Sequence, residues 1–140
     1  MTKILYETTA TATGGRDGRA RTKDGSFEVK LATPKELGGN GEGNNPEQLF
    51  ASGYSACFLG AMRFVSTRDR LAKVPNDASV TATVGIGPRQ DEGFGLQVGL
   101  VIELPGVERE AAETLVAAAD KVCPYSHATR GNIEVNITVA

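Results

Sequence analysis

Tryptophan is absent from this 140-residue sequence, histidine occurs once and cysteine only twice. One histidine and two well-separated cysteines cannot fill a four-ligand zinc site, and no metal-ligand spacing occurs, so no metal is expected. Neither sign of charge dominates: Lys and Arg number 15 against 17 Asp and Glu, a net charge of −2. That balance argues against nucleic acid, whose binding relies on clustered cations. Long hydrophobic runs are also missing. The longest, Leu49 to Met62, falls short of the roughly 20 residues a bilayer span requires and reads as a buried helix. The first residues lack an apolar signal-peptide core, so the expected location is the cytoplasm with no membrane partner. There, two cysteines are either inert core thiols or redox chemistry, rather than a permanent staple. The Gly/Asn-rich stretch from Gly38 to Asn45 lacks the Gly-Lys-Ser/Thr ending of a phosphate loop and reads as a plain loop.

What is present describes a globular chain. Hydrophobic residues make up 40% and charged residues 23%, near the averages for folded domains. The length suits one domain over residues 1–140, able to hide roughly two-thirds of its unfolded surface.

Alternating, Thr-rich residues from Leu5 to Thr13 predict a strand, followed by a glycine-dense turn, a strand over Ala20 to Lys23, an Asp24-Gly25 turn and a strand from Phe27 to Leu31. Asn45-Pro46-Glu47-Gln48 is a helix start: Asn can cap free amides, Pro is tolerated at the first position, and Glu complements the helix dipole. The helix is expected to reach about Arg70, apolar on nearly every face from Leu49 to Val65. One small sheet does not cover such a helix, which predicts a second subunit against it. Val80 to Val84 and Leu96 to Leu104 read as strands, Glu108 to Val122 as an amphipathic helix stopped by Pro124, and Ile133 to Val139 as a last strand. The order β-β-β-α-β-β-α-β is α+β with antiparallel sheets and a long central helix.

Cys57 shares a helical stripe with Phe50, Tyr54 and Ala61, and taken alone it reads as a core cysteine whose burial raises its pKa. Reactivity there requires a cation brought from elsewhere in the fold. Cys123, at a helix end, sits where the dipole disfavours a thiolate, making it a poor nucleophile but a plausible resolving thiol. His127 reads as a surface residue.

Four segments change the balance: Ala-Thr-Gly-Gly-Arg-Asp-Gly at 12–18, Leu-Ala-Thr-Pro-Lys-Glu-Leu-Gly-Gly at 31–39, Asn-Pro-Glu-Gln-Leu-Phe-Ala-Ser-Gly-Tyr-Ser-Ala-Cys-Phe at 45–58 and Val-Cys-Pro-Tyr-Ser-His-Ala-Thr-Arg-Gly-Asn at 122–132. With them the sequence resembles the organic hydroperoxide resistance (Ohr) branch of the Ohr/OsmC family along essentially its whole length. The resemblance implies an intertwined homodimer acting as a thiol peroxidase on alkyl and fatty-acid hydroperoxides. It implies Cys57 as peroxidatic thiol, Cys123 as resolving thiol, Arg16 as the missing cation and Glu47 as its anchor. No bound cofactor is implied, only an external dithiol reductant of the dihydrolipoamide or lipoylated-protein type. Glu47 and Cys57 stand roughly 15 Å apart along a straight helix, so Glu47 acts either through Arg16 or from a second subunit. Phe50, Tyr54 and Phe58 are the candidate apolar lining for the substrate. The competing readings are an OsmC-type enzyme with broader peroxide use, a non-catalytic dimer that binds hydrophobic ligands, and a general thiol–disulfide oxidoreductase, for which the chain lacks a Cys-x-x-Cys pair.

Overall fold

In the computed structural model, which describes residues 2–140, the chain divides into two compact units, one ending at Leu49 and the other beginning at Phe50.

The first unit is a three-stranded antiparallel sheet, β1 (Ala10–Thr13), β2 (Arg19–Thr22) and β3 (Glu28–Lys30), in sequential order. Its turns follow from side-chain chemistry. Between β2 and β3 the Asp24 carboxylate accepts from the Ser26 amide at 3.0 Å and from the hydroxyls of Ser26 and Thr22, each at 2.8 Å. These donors, the Ser26 amide foremost, hold Asp24 down to a pKa of about 2. The first strand begins at Ala10 rather than at Leu5. The ladder ends at Ala10 opposite Thr22, with one further bond from the Lys23 amide to the Thr9 carbonyl at 2.9 Å, after which the Asp24-Gly25 turn takes the partner strand away.

The long helix, α1 (Pro46–Arg68), starts where the Asn-Pro-Glu-Gln signal places it. The Asn45 side chain accepts from the Gln48 amide at 2.9 Å, and the Gln48 side chain accepts from the Asn45 amide at 3.1 Å. This reciprocal pair satisfies two backbone donors at once. The buried stripe is Tyr54, Phe58, Ala61, Met62 and Val65. The opposite stripe, Ser52, Ala56, Gly60 and Phe64, is exposed.

The second unit carries a sheet of β4 (Ser79–Pro88), β5 (Phe94–Glu103) and β6 (Val135–Val139), with α2 (Arg109–Val122) and the short α3 (Pro124–Thr129) between β5 and β6. The β4–β5 hairpin is longer than its hydrophobic pattern suggests. Gly85, Gly87 and Gly95 interrupt the pattern, but their backbones continue the ladder. β5 is central, antiparallel to β4 and parallel to β6. The parallel pair departs from the antiparallel expectation and has a simple cause. The helical segment after β5 is a crossover that returns the chain to the end of the sheet where it began.

The core of this unit packs the buried α1 stripe with Val98, Leu100 and Ile102 of β5 and Ala112, Leu115, Val116 and Ala119 of α2. Burying each large aliphatic or aromatic side chain contributes roughly 1.5–3 kcal/mol relative to exposure. Glu108 caps α2 by accepting from the amides of Glu110 and Ala111. No helix among the described residues is long and apolar enough to cross a membrane.

Candidate functional site

Pro124 creates the geometry around Cys123. Proline restricts the residue before it to extended backbone, and Cys123 sits at φ −64°, ψ 119°, between the end of α2 and the start of α3. The ring then occupies the first position of α3, where its missing N–H is no loss. The expected helix stop is therefore also a helix start, and the kink holds the fully buried Cys123 against α1. Its Sγ lies 3.6 Å from that of Cys57, and both thiols are free.

Cys57 is half-buried in the middle of α1. Burial pushes its thiol above the usual range, the neighbouring Cys123 sulfur adds to that, and a hydrogen bond from the Tyr125 backbone amide opposes it. Tyr125 is thus bound to the sulfur by its backbone, while its ring faces a large open cleft of about 910 Å³. The apolar lining is Phe50, Phe94, Leu96, Tyr125 and Ile133, with Arg89 and Asp91 of the β4–β5 turn also lining it. Phe50, Tyr54 and Tyr125 form an aromatic triangle with centroids 5.7–6.1 Å apart.

Gly53 makes that triangle possible. A Cβ at this position would stand 2.9 Å from the Tyr125 hydroxyl oxygen and 3.2–3.3 Å from two ring carbons. Any larger residue pushes the ring out of its seat.

The other pair of candidate residues lies in the first unit. Arg16 sits on a single 3-10 turn, Gly15–Asp17, entered through Gly14 at φ 75°. The Asp17 carboxylate accepts from the Thr33 amide at 2.9 Å and from its hydroxyl at 3.0 Å, fastening this turn to the segment after β3. The guanidinium donates two parallel bonds to Glu47, Nη1 to Oε2 at 2.9 Å and Nη2 to Oε1 at 2.6 Å. This fork geometry is available to Arg and not to Lys. The Arg16 hydrogen bond holds the Glu47 carboxyl below its ordinary range against the opposing effect of burial, and Glu47 in turn raises the guanidinium's pKa.

The structure thus brings Cys57 to Cys123 and Arg16 to Glu47, the latter pair within one chain. Of the three aromatic candidates, only Phe50 lines the cleft. Tyr54 and Phe58 are fully buried in the core cluster, Tyr54 with its hydroxyl against Ser126 and Thr129 of α3. Sequence reasoning missed Tyr125, Leu96 and Ile133 as lining and Asp17 as the clamp of the arginine turn. Tyr125 alone carried a signal, its place in Cys-Pro-Tyr-Ser.

A family model described as OsmC-like protein matches residues 39–138. The organic hydroperoxide resistance protein of Xanthomonas axonopodis pv. citri is 54% identical, with 99% of this chain and 96% of that protein aligned. Among solved structures, an organic hydroperoxide resistance protein from Legionella pneumophila superposes with a TM-score of 0.92 at 46% identity, covering 99% of each chain. A putative organic hydroperoxide resistance protein from Vibrio cholerae O1, with captopril bound in one of its active sites, gives 0.91 at 48%, covering 98% of this chain and 93% of that one.

Proposed function

The chain belongs to the OsmC-like family, with relatives named for organic hydroperoxide resistance, and on that premise we propose that it is a cysteine-based peroxidase for organic hydroperoxides. The observation that carries the reading is the pair of free sulfurs 3.6 Å apart, with Tyr125 bonded to one of them and lining an apolar cleft.

The Cys57 thiolate attacks the distal oxygen of R–O–O–H. The O–O bond breaks, R–O⁻ leaves and takes a proton to become the alcohol, and the sulfur becomes a sulfenic acid. The Cys123 thiol then condenses with it, forming the S–S bond and releasing water. A disulfide needs about 2.05 Å between sulfurs, so a shift of about 1.5 Å closes the observed gap. An external dithiol of the dihydrolipoamide type reduces the disulfide and is itself oxidised. Arg16, held in fixed orientation by Glu47, is the cation that favours the Cys57 thiolate over the thiol.

An apolar cleft favours an acyl or alkyl tail. Each buried methylene contributes about 0.8 kcal/mol, or nearly fourfold in kcat/KM, until the cleft is full. With dihydrolipoamide as reductant, turnover is expected to rise along a series from hydrogen peroxide through tert-butyl hydroperoxide to a long-chain fatty-acid hydroperoxide. Equal kcat/KM for hydrogen peroxide and the long-chain substrate rejects the selectivity, and no turnover of any of the three rejects the activity.

The working unit in this reading is a homodimer. Ile4, Leu5 and Tyr6 are 65%, 88% and 81% exposed, and α1 exposes the Ser52, Ala56, Gly60 and Phe64 stripe, where small residues allow a second helix to approach closely. Light scattering on the purified protein should return twice the chain mass. A monomer at micromolar concentration contradicts the assignment.

A further inference from the structure

Three buried hydroxyls meet on the two helices that carry and follow the sulfurs, Tyr54 three residues before Cys57 and Ser126 three after Cys123. Tyr54 on α1 is fully buried, and Ser126 and Thr129 on α3 are 2% and 5% exposed. The Tyr54 oxygen lies 2.8 Å from Ser126 Oγ and 3.2 Å from Thr129 Oγ1. Thr129 Oγ1 also donates to the Ser126 carbonyl at 3.2 Å. With all three bonds made at once, the donor count sets the direction of each. Thr129 spends its only proton on that carbonyl, so Tyr54 donates to Thr129, and Ser126 must donate to Tyr54. All three hydroxyl protons are used, and among the described residues no buried side-chain nitrogen or oxygen lacks a partner.

A fully satisfied buried network of this kind is rigid, and its position gives the rigidity a target. Tyr54 precedes Cys57 by three residues, on the same face of α1. Ser126 and Thr129 belong to the helix that opens at Pro124, between Cys123 and the Tyr125 amide bonded to the Cys57 sulfur. The ring of hydroxyls therefore ties the segment carrying the resolving thiol to the helix carrying the attacked one.

That tie bears on a choice which the chemistry forces. Once Cys57 is a sulfenic acid, it either condenses with Cys123, losing water, or meets a second hydroperoxide, which transfers another oxygen, leaves as alcohol and yields a sulfinic acid. The first route depends on where Cys123 is held; the second does not. We propose that the Tyr54–Ser126–Thr129 hydroxyl ring is a positioning device that commits the oxidised Cys57 to the disulfide and away from the sulfinic acid. This rests on the peroxidase reading above and names what protects that site from its own substrate.

The test is the product ratio, read by intact-protein and peptide mass spectrometry after treatment with graded excesses of tert-butyl hydroperoxide. Both products arise after the sulfenic acid, so the ratio cancels the rate of the first step. Tyr54→Phe, Ser126→Ala and Thr129→Val are expected to raise the sulfinic-to-disulfide ratio by about ten- to a hundredfold, the loss typical of a small misplacement of reacting groups. Thr129→Ser keeps the hydroxyl and should restore the wild-type ratio. Ile102→Val, a core change on β5 away from the ring, controls for destabilisation and should leave the ratio alone. Unchanged ratios in Tyr54→Phe and Ser126→Ala, or an equal rise in Ile102→Val, overturn the proposal. No oxidation of wild-type Cys57 at any excess overturns the peroxidase reading itself.

Discussion

Serine in place of Cys57 is expected to abolish hydroperoxide turnover, lowering it by about a thousandfold or more, as loss of a nucleophile does. Serine in place of Cys123 has a different expected signature. The first equivalent of tert-butyl hydroperoxide is still consumed in stopped flow, the catalytic cycle stops, and Cys57 accumulates as sulfenic and then sulfinic acid. The asymmetry follows from the surroundings of the two sulfurs. Cys57 is half-buried and receives the Tyr125 amide, while Cys123 is fully buried at the kink before Pro124 with its sulfur 3.6 Å from that of Cys57. A dimer that merely binds apolar ligands would keep its ligand affinity in Cys57→Ser and show no oxidation in either variant. Turnover surviving in Cys57→Ser would remove Cys57 from the reaction altogether. Equal defects in the two variants, with no oxidised Cys57 in Cys123→Ser, would remove the division of roles.

Local chemistry made some element boundaries legible in the sequence, while the groupings of distant residues were not. Asn45-Pro46-Glu47-Gln48 states a helix start in capping chemistry alone, and the helix begins at Pro46. The pairing of Arg16 with Glu47 came only through the motif resemblance, since nothing local ties a glycine-rich turn to a helix 31 residues on. Local pattern also misplaced part of the lining. Phe50, Tyr54 and Phe58 recur at helical spacing, but a helix has two sides, and a sequence does not say which one faces an opening. Tyr54 and Phe58 went to the core, and Phe50 alone reached the cleft. The rest of the lining comes from β5, from α3 and from Ile133 just before β6, brought together by a crossover that period-2 patterns leave open. The parallel β5–β6 pair was hidden for the same reason: alternation reveals a strand but not its direction. The hydroxyl ring was invisible because Ser126 and Thr129 are ordinary turn and helix residues until a fully buried tyrosine meets them.

The second large effect concerns the cation. Burial holds the Cys57 thiol above its usual range, so the fraction present as thiolate near neutrality is small, and a positive charge that favours the thiolate raises the rate. In the proposed mechanism Arg16 supplies that charge, and Arg16→Met removes it. The thiol pKa then rises further, the midpoint of the pH–rate profile moves to higher pH by about one to three units, and the rate near neutral pH falls by about ten- to a thousandfold. Arg16→Lys keeps the charge but loses the two parallel bonds to Glu47, so its profile should lie between the two. Glu47→Gln leaves the guanidinium in place without its anchoring charge, and a smaller upward shift is expected. On the acid side the sign reverses. Glu47 is held below its ordinary pKa by Arg16. The stability from this pair is therefore fully present above the ordinary carboxylate range and is lost as pH falls through the lowered value. Acid unfolding of Glu47→Gln should accordingly depend less on pH in that window than unfolding of the wild type. The measurements are second-order rate constants for tert-butyl hydroperoxide against pH and acid denaturation curves for the same variants. If the Arg16→Met profile superimposes on the wild-type profile, the activating charge on Cys57 is not Arg16, and the thiolate must owe its stability to the Tyr125 amide alone.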